Sequence, residues 1–136
     1  MKLTFAALAL LIMFGAADAK DSALMRRLRR ATAGLTYVSE TDSHFRVVRK
    51  SPAFVRRARR ENPCMPRSLE DFFEGQYADR SRRDLHRLRR LARLVNSNLR
   101  GVRVYWTGAE PTYRVYILGR TRWGAVLGLS VLVVAS

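Results

Sequence analysis

Hydrophobic positions in this chain switch from helical to alternating spacing as the sequence is read forward. Leu24, Leu28 and Ala31 recur at helical intervals with Leu35 just beyond on the same stripe, while the arginines among them point elsewhere. Ser22 is placed to cap this helix and Gly34 to end it. Tyr37 to Asp42 reads as extended and then turning, and His44 to Arg49 as a second short strand. Residues 51–67 are the least regular, because Pro52, Pro63 and Pro66 forbid a long helix. Ser68-Leu69-Glu70-Asp71 is a capping-box pattern opening a short helix through Phe73, with Gly75 after it. Ser81-Arg82-Arg83-Asp84 repeats the pattern before the strongest helical stripe, Leu85, Leu88, Ala92, Val95 and Leu99, with Leu91 beside it and Gly101 as the expected stop.

Three strands follow. Val102, Val104 and Trp106 alternate with Arg103, Tyr105 and Thr107, and Tyr113, Val115 and Ile117 with Arg114, Tyr116 and Leu118. Residues 109–112 turn the chain between them, and 119–124 form a second, longer turn. Ala125 to Val134 is nearly all apolar, as in a central strand covered on both faces. Helices combined with an antiparallel meander predict an α+β sandwich.

The first residues change the domain picture. Lys2, the apolar run Leu3 to Phe14 and Ala17-Asp18-Ala19 together have the order of a secretory signal, and the run is too short to span a membrane. We expect a signal peptide over 1–19, a single mature domain over 20–136 and a secreted, extracellular protein. The alternative is an uncleaved N-terminal helix, and Asp18 is the residue that fits a signal poorly.

Charge narrows the partners. The chain of 136 residues carries a formal net charge of +15, and its basic residues are arginines except for Lys2, Lys20 and Lys50. Removing 1–19 takes away Lys2 and Asp18 and leaves +15. Guanidinium forks suit carboxylates and phosphates, so anionic partners fit, whether nucleic acid, acidic protein, anionic lipid or glycan; solvated faces with no partner are the plainer alternative. The densest basic cluster is Arg56, Arg57, Arg59 and Arg60, readable as a phosphate-binding patch, a dibasic processing site or a solvated loop or short helical turn. Arg83, Arg87 and Arg90 on the long helix extend the candidate basic patch.

Enzyme chemistry finds little support. Cys64 lies among prolines with no evident base, which argues against a disulfide scaffold and leaves either an incidental thiol or a link to a second chain. His44 and His86 are far apart in sequence, no metal-ligand spacing, Gly-rich phosphate loop or nucleophile elbow occurs, and Asp42 with His44 is the one pair left open as metal ligands. No cofactor is expected. The apolar stretch from Trp123 to Ala135 is short of a membrane span and only loosely fits a lipid-anchor signal.

The stretch Gly34-Leu35-Thr36-Tyr37-Val38-Ser39-Glu40-Thr41-Asp42 lacks Lys and Arg, although Arg-rich segments flank it. It resembles the opening signature of the nuclease A inhibitor-like family, in which a helix ends in Gly-Leu and leads to a Ser-Glu turn. The likeness recurs in order at Asp71-Phe72-Phe73, Ser97-Asn98-Leu99, Val104-Tyr105, Val115-Tyr116-Ile117-Leu118-Gly119, Gly128-Leu129-Ser130 and Val133-Val134, covering about residues 23–136. The resemblance implies an α-β-α sandwich with an antiparallel sheet, similar to the pathogenesis-related-1 fold. It further implies a protein that plugs the active site of a Mg-dependent, non-specific endonuclease.

Carried over position by position, Glu40 would bind the enzyme near its active site, with Asp42 beside it in the turn. Ser136 would present a hydroxyl and α-carboxylate that reach the enzyme's Mg, a hard cation suited to oxygen ligands. Gln76 and Tyr77 loosely match a further contact segment. The chain departs from the acidic type protein in being strongly basic and in having a shorter segment between Phe73 and the long helix. The other function class is a cationic protein that binds nucleic acid or another polyanion without catalysis.

Overall fold

A computed structural model describes the backbone of residues 5–135 and the side-chain environment from residue 17 onward. Helix α1 spans Phe5–Thr32. The start expected at Ser22 therefore falls inside a helix, because Ala16, Ala17, Ala19 and Lys20 are good helix formers and no proline interrupts them. The helix stops where expected: Gly34 takes a φ of 72° and the Leu35 N–H turns back to the Thr32 carbonyl at 2.9 Å.

Three short strands come next, β1 (Thr36–Tyr37), β2 (Ser43–His44) and β3 (Arg46–Lys50). Helix α2 occupies Pro52–Ala58 with Pro at its start and Ser51 as N-cap, so Arg56 and Arg57 of the basic cluster lie on a short helix, with Arg59 as its C-cap and Arg60 in the turn after it. Helix α3 (Leu69–Glu74) and helix α4 (Arg82–Asn98) start as the capping boxes predict, with the Ser68 and Ser81 hydroxyls accepting from Asp71 N–H and Asp84 N–H at 3.1 Å each.

Strands β4 (Arg100–Ala109), β5 (Thr112–Arg120) and β6 (Val126–Val134) complete the chain. Gly101 does not stop α4. Leu99 is the C-cap in extended conformation, and Gly101, at a φ of 61°, serves the register shift between Arg100 and Arg103 at the start of β4.

The main sheet has the order β3-β6-β5-β4, all antiparallel, and β1 pairs with β2 separately. The mostly apolar β6 is thus an interior strand, as its composition predicts. One sheet face carries Val104, Trp106, Val115, Ile117, Leu127 and Leu129 against Leu24 and Leu28 of α1, Phe72 and Phe73 of α3, and Leu88, Leu91 and Val95 of α4. The opposite face carries Tyr105, Leu118 and Val126, packed with Phe54, Val55 and Ala58 of α2. Helices therefore lie on both faces, three on one and one short helix on the other. Each fully buried Leu or Val contributes about 1.5–3 kcal/mol, so the three-helix face carries most of the core energy.

The outer edge of β4 is covered by the loop after α2. Asn62 Nδ2 donates to the Trp106 and Gly108 carbonyls at 2.8 and 3.0 Å, Val104 N–H donates to Arg67 O at 2.8 Å, and Trp106 Nε1 donates to Pro66 O at 2.7 Å. An edge strand satisfied in this way is protected from pairing with another chain. Among the described residues, no helix is long and apolar enough to cross a membrane.

Candidate functional site at one end of the sheet

The Ser39–Asp42 turn lies at the end of the sheet where β6 finishes. The Val134 N–H donates to Ser39 Oγ at 3.1 Å, and the Val134 carbonyl accepts from Glu40 N–H at 3.2 Å. Ser39 Oγ also donates to Thr41 O at 2.8 Å, which closes the turn on itself. One step back along β6, Leu132 N–H donates to Ser43 Oγ at 3.1 Å. On the other side of β6, Thr112 pairs with Val134, and Ala135 N–H donates to Pro111 O at 2.8 Å. The acidic turn and the β4–β5 hairpin therefore hold the last described residues of β6 between them.

The base of the turn is anchored in the core. Tyr37 stacks on Phe72, with centroids 4.6 Å apart, and meets Phe45 edge-on at 6.4 Å. Burial pushes the Tyr37 hydroxyl above the ordinary tyrosine value of 10.0, and a hydrogen bond with Gln76 offsets part of that rise.

Gln76 is itself buried, and its amide takes both backbone groups of Val38: Oε1 accepts from Val38 N–H at 2.7 Å and Nε2 donates to Val38 O at 2.8 Å. Arg80 completes the fastening, with Nη2 donating to Gln76 Oε1 at 2.6 Å and to Thr36 O at 2.8 Å. Gln76, expected from the resemblance as a contact residue, thus has its side chain turned inward as the fastener of the turn. Tyr77 is half-buried, with the Arg89 guanidinium 5.4 Å from its ring centroid.

Glu40 and Asp42 are exposed on the turn, and Glu110 is exposed on the neighbouring hairpin. Glu61 reaches the same hairpin, where its carboxylate accepts from Gly108 N–H at 3.0 Å. Ser136, the other residue of the expected two-point site, lies outside the described residues.

Basic residues concentrate elsewhere. Lys50, Arg120 and Arg100 stand at the far end of the sheet, where β3 and β5 pair with the start of β6 and β4 pairs with the end of β5. A run of ten residues such as β4 separates the two ends by about 30 Å. The candidate basic patch divides in two. Arg56, Arg57, Arg59 and Arg60 belong to α2 and the turn after it, on one side of the sheet. Arg87 and Arg90 line a cleft between α1 and α4 on the other side, and Arg83, exposed on the first turn of α4, is not among its walls.

His44, His86 and Cys64 are all exposed, and among the described residues no group of three or more His, Cys, Asp or Glu is arranged to hold a metal. Sequence reasoning missed the roles of Ser39, Ser43 and Arg80, which lie in contacts between residues 44 to 95 positions apart and leave no local signal.

Comparison with curated proteins gives no match. The sequence model of the family described as "nuclease A inhibitor-like protein", in contrast, matches residues 22–135, from the middle of α1 past the last strand, and the chain belongs to that family.

Proposed function

We propose that this protein inhibits a Mg-dependent, non-specific endonuclease by covering its active site with the end of the sheet that carries the Ser39–Asp42 turn and the terminus of β6. Family membership indicates a nuclease-inhibitor-like, protein-binding role in place of catalysis. The observation that carries the finer reading is the pairing of Ser39 and Glu40 with Val134, which joins the acidic turn to the end of β6 although the two are distant in sequence. A two-point contact needs such a junction, because pre-organised points bind without a further ordering cost.

Glu40 then accepts a charge-assisted hydrogen bond from the enzyme, and Ser136, following Ala135 in sequence, offers oxygen atoms to the enzyme's Mg. Glu40, Asp42 and Glu110 form the approach surface, while Lys50, Arg100 and Arg120 lie at the far end of the sheet and Arg30, Arg90 and Arg93 in the cleft between α1 and α4. A target with an acidic rim outside its catalytic cleft tolerates this basic body best, since like charges across an interface slow association. The expected signal at residues 1–19 makes a secreted nuclease the target we favour, and a sandwich similar to the pathogenesis-related-1 fold is the architecture we favour.

The test is inhibition of DNA degradation by a panel of Mg-dependent, non-specific nucleases. Glu40→Gln is expected to cost about 2 kcal/mol, roughly 30-fold in the inhibition constant, and deletion of Ser136 at least as much. Glu70→Gln removes an equal charge on α3 and should change little. Equal effects at Glu40 and Glu70, or no inhibition of any such nuclease at micromolar protein, would refute the reading.

A further inference from the structure

We propose that the cleft between α1 and α4 is a binding site for the phosphodiester backbone of a single-stranded nucleic acid. Arg27 and Arg30 of α1 and Arg87, Arg90 and Arg93 of α4 line it, in a space of about 540 Å³, and no acidic side chain is among its walls. The spacing explains how the arginines come together. Residues three apart share a helix face, so each helix contributes one row of guanidinium groups to the same groove. The apolar stripes of Leu24 and Leu28 on α1 and Leu88, Leu91 and Val95 on α4 join the same core and leave the rows at the surface seam.

The two helices run antiparallel, and hydrogen bonds tie the cleft at both ends. Arg87 Nη2 donates to the Ala31 and Ala33 carbonyls, at 3.1 and 2.5 Å, closing the C-terminal end of α1. Arg27 Nη1 reaches Asn98 Oδ1 at 3.4 Å, and Asn98 is itself held by Leu94 O at 2.8 Å. Arg30, Arg90 and Arg93 stand in a concave site that concentrates positive potential, with no carboxylate in the walls to neutralise it.

The shape of the charge selects the ligand. From Arg87 to Arg93 the row advances about 9 Å along α4, and a cleft of about 540 Å³ between two helices admits a short stretch of one strand and not a duplex. Guanidinium forks pair with phosphate oxygens bidentately. The remaining walls are Ala31, Leu94, Ser97 and Asn98, with no aromatic ring on which a base could stack. Contacts of guanidinium groups to phosphate carry no sequence information, so the site reads backbone and not sequence. It lies on the helix layer, apart from the acidic end of the sheet, and stands whether or not the inhibitory reading holds.

The test is fluorescence anisotropy of the full chain with labelled 12-nucleotide single strands of mixed sequence, titrated between 50 and 200 mM salt. Five phosphate contacts give a slope of log K against log salt of about −3.5, a loss of about 100-fold over that range. The variant R30Q/R90Q/R93Q, which spares the structural bonds of Arg87 and Arg27, should bind at least 10-fold more weakly, with the slope reduced to about −1.4. R56Q/R57Q/R60Q removes the same charge from the α2 side and should bind within threefold of the parent. Circular dichroism confirms that both variants fold. Equal losses in the two variants would reduce the binding to net charge alone and overturn the assignment. So would cleft-dependent binding of inorganic triphosphate or heparin oligosaccharide with none of the single strands, and so would salt-insensitive binding.

Discussion

Gln76 shows how one side chain can set the position of a whole turn. Its amide replaces the missing strand partner of Val38 by accepting from one backbone group and donating to the other. Tyr37, next in the chain, gives that arrangement a pH signature. Its folded-state pKa is raised, chiefly by burial, so the folded protein holds the phenolic proton more tightly than the unfolded chain does. The stability from this group is complete below the ordinary value of 10.0 and falls as pH rises through the folded value. Denaturant midpoints measured from pH 8 to 11 should therefore decline above about pH 10. In Tyr37→Phe that portion of the decline should be absent; an unchanged slope would show that other groups cause it.

At the scale of elements, β6 imposes the tightest demand. Gly128 pairs with Val48 on one side and Leu118 on the other, and a Cβ there would collide with the Ile117 carbonyl. Backbone cannot yield as the end of a flexible side chain can, so Gly128→Ala should cost about 3 kcal/mol, the upper part of the usual overpacking range, read as a lower urea midpoint. An unfolding free energy within about 0.5 kcal/mol of the parent would mean that the two strands can separate locally at little cost.

The three long strands and both capping-box helices were legible in the sequence, because alternation and the Ser-x-x-Asp spacing are local signals. The Gly34 turn was legible too, through its contrast with the arginines around it. What joins the site was not. Ser39 meets Val134 across 95 positions, and a hydroxyl in a turn carries no mark of the backbone N–H it will accept from. The inward turn of Gln76 was hidden for the same reason, since a polar side chain after a helix end reads as exposed until its partner is known. Gly101 misled because a glycine just past a helix is most often its cap, whereas here it serves the opening of β4.

For the whole molecule, the charge distribution matters more than its sum. A chain of net charge +15 keeps its acidic turn and hairpin at one end of the sheet and rows of arginine along the helix seam, around α2 and at the far end. Such a body repels itself, and salt relieves the repulsion by shortening the Debye length from about 30 Å at 0.01 M to about 10 Å at 0.1 M. The melting temperature should rise over that interval. A fall would show that attractive contacts between unlike charges outweigh the repulsion among the arginines.

The strand order also sets a timetable for synthesis. In the main sheet, β3 pairs only with β6, and about 76 residues separate Lys50 from Val126. At about 5–20 residues per second, a ribosome takes roughly 4–15 s to make that interval. During those seconds the nascent β3 lacks its strand partner and the Ser39–Asp42 turn lacks its bonds to Val134, so the turn is held only at its base, by Tyr37 and Gln76, until β6 emerges.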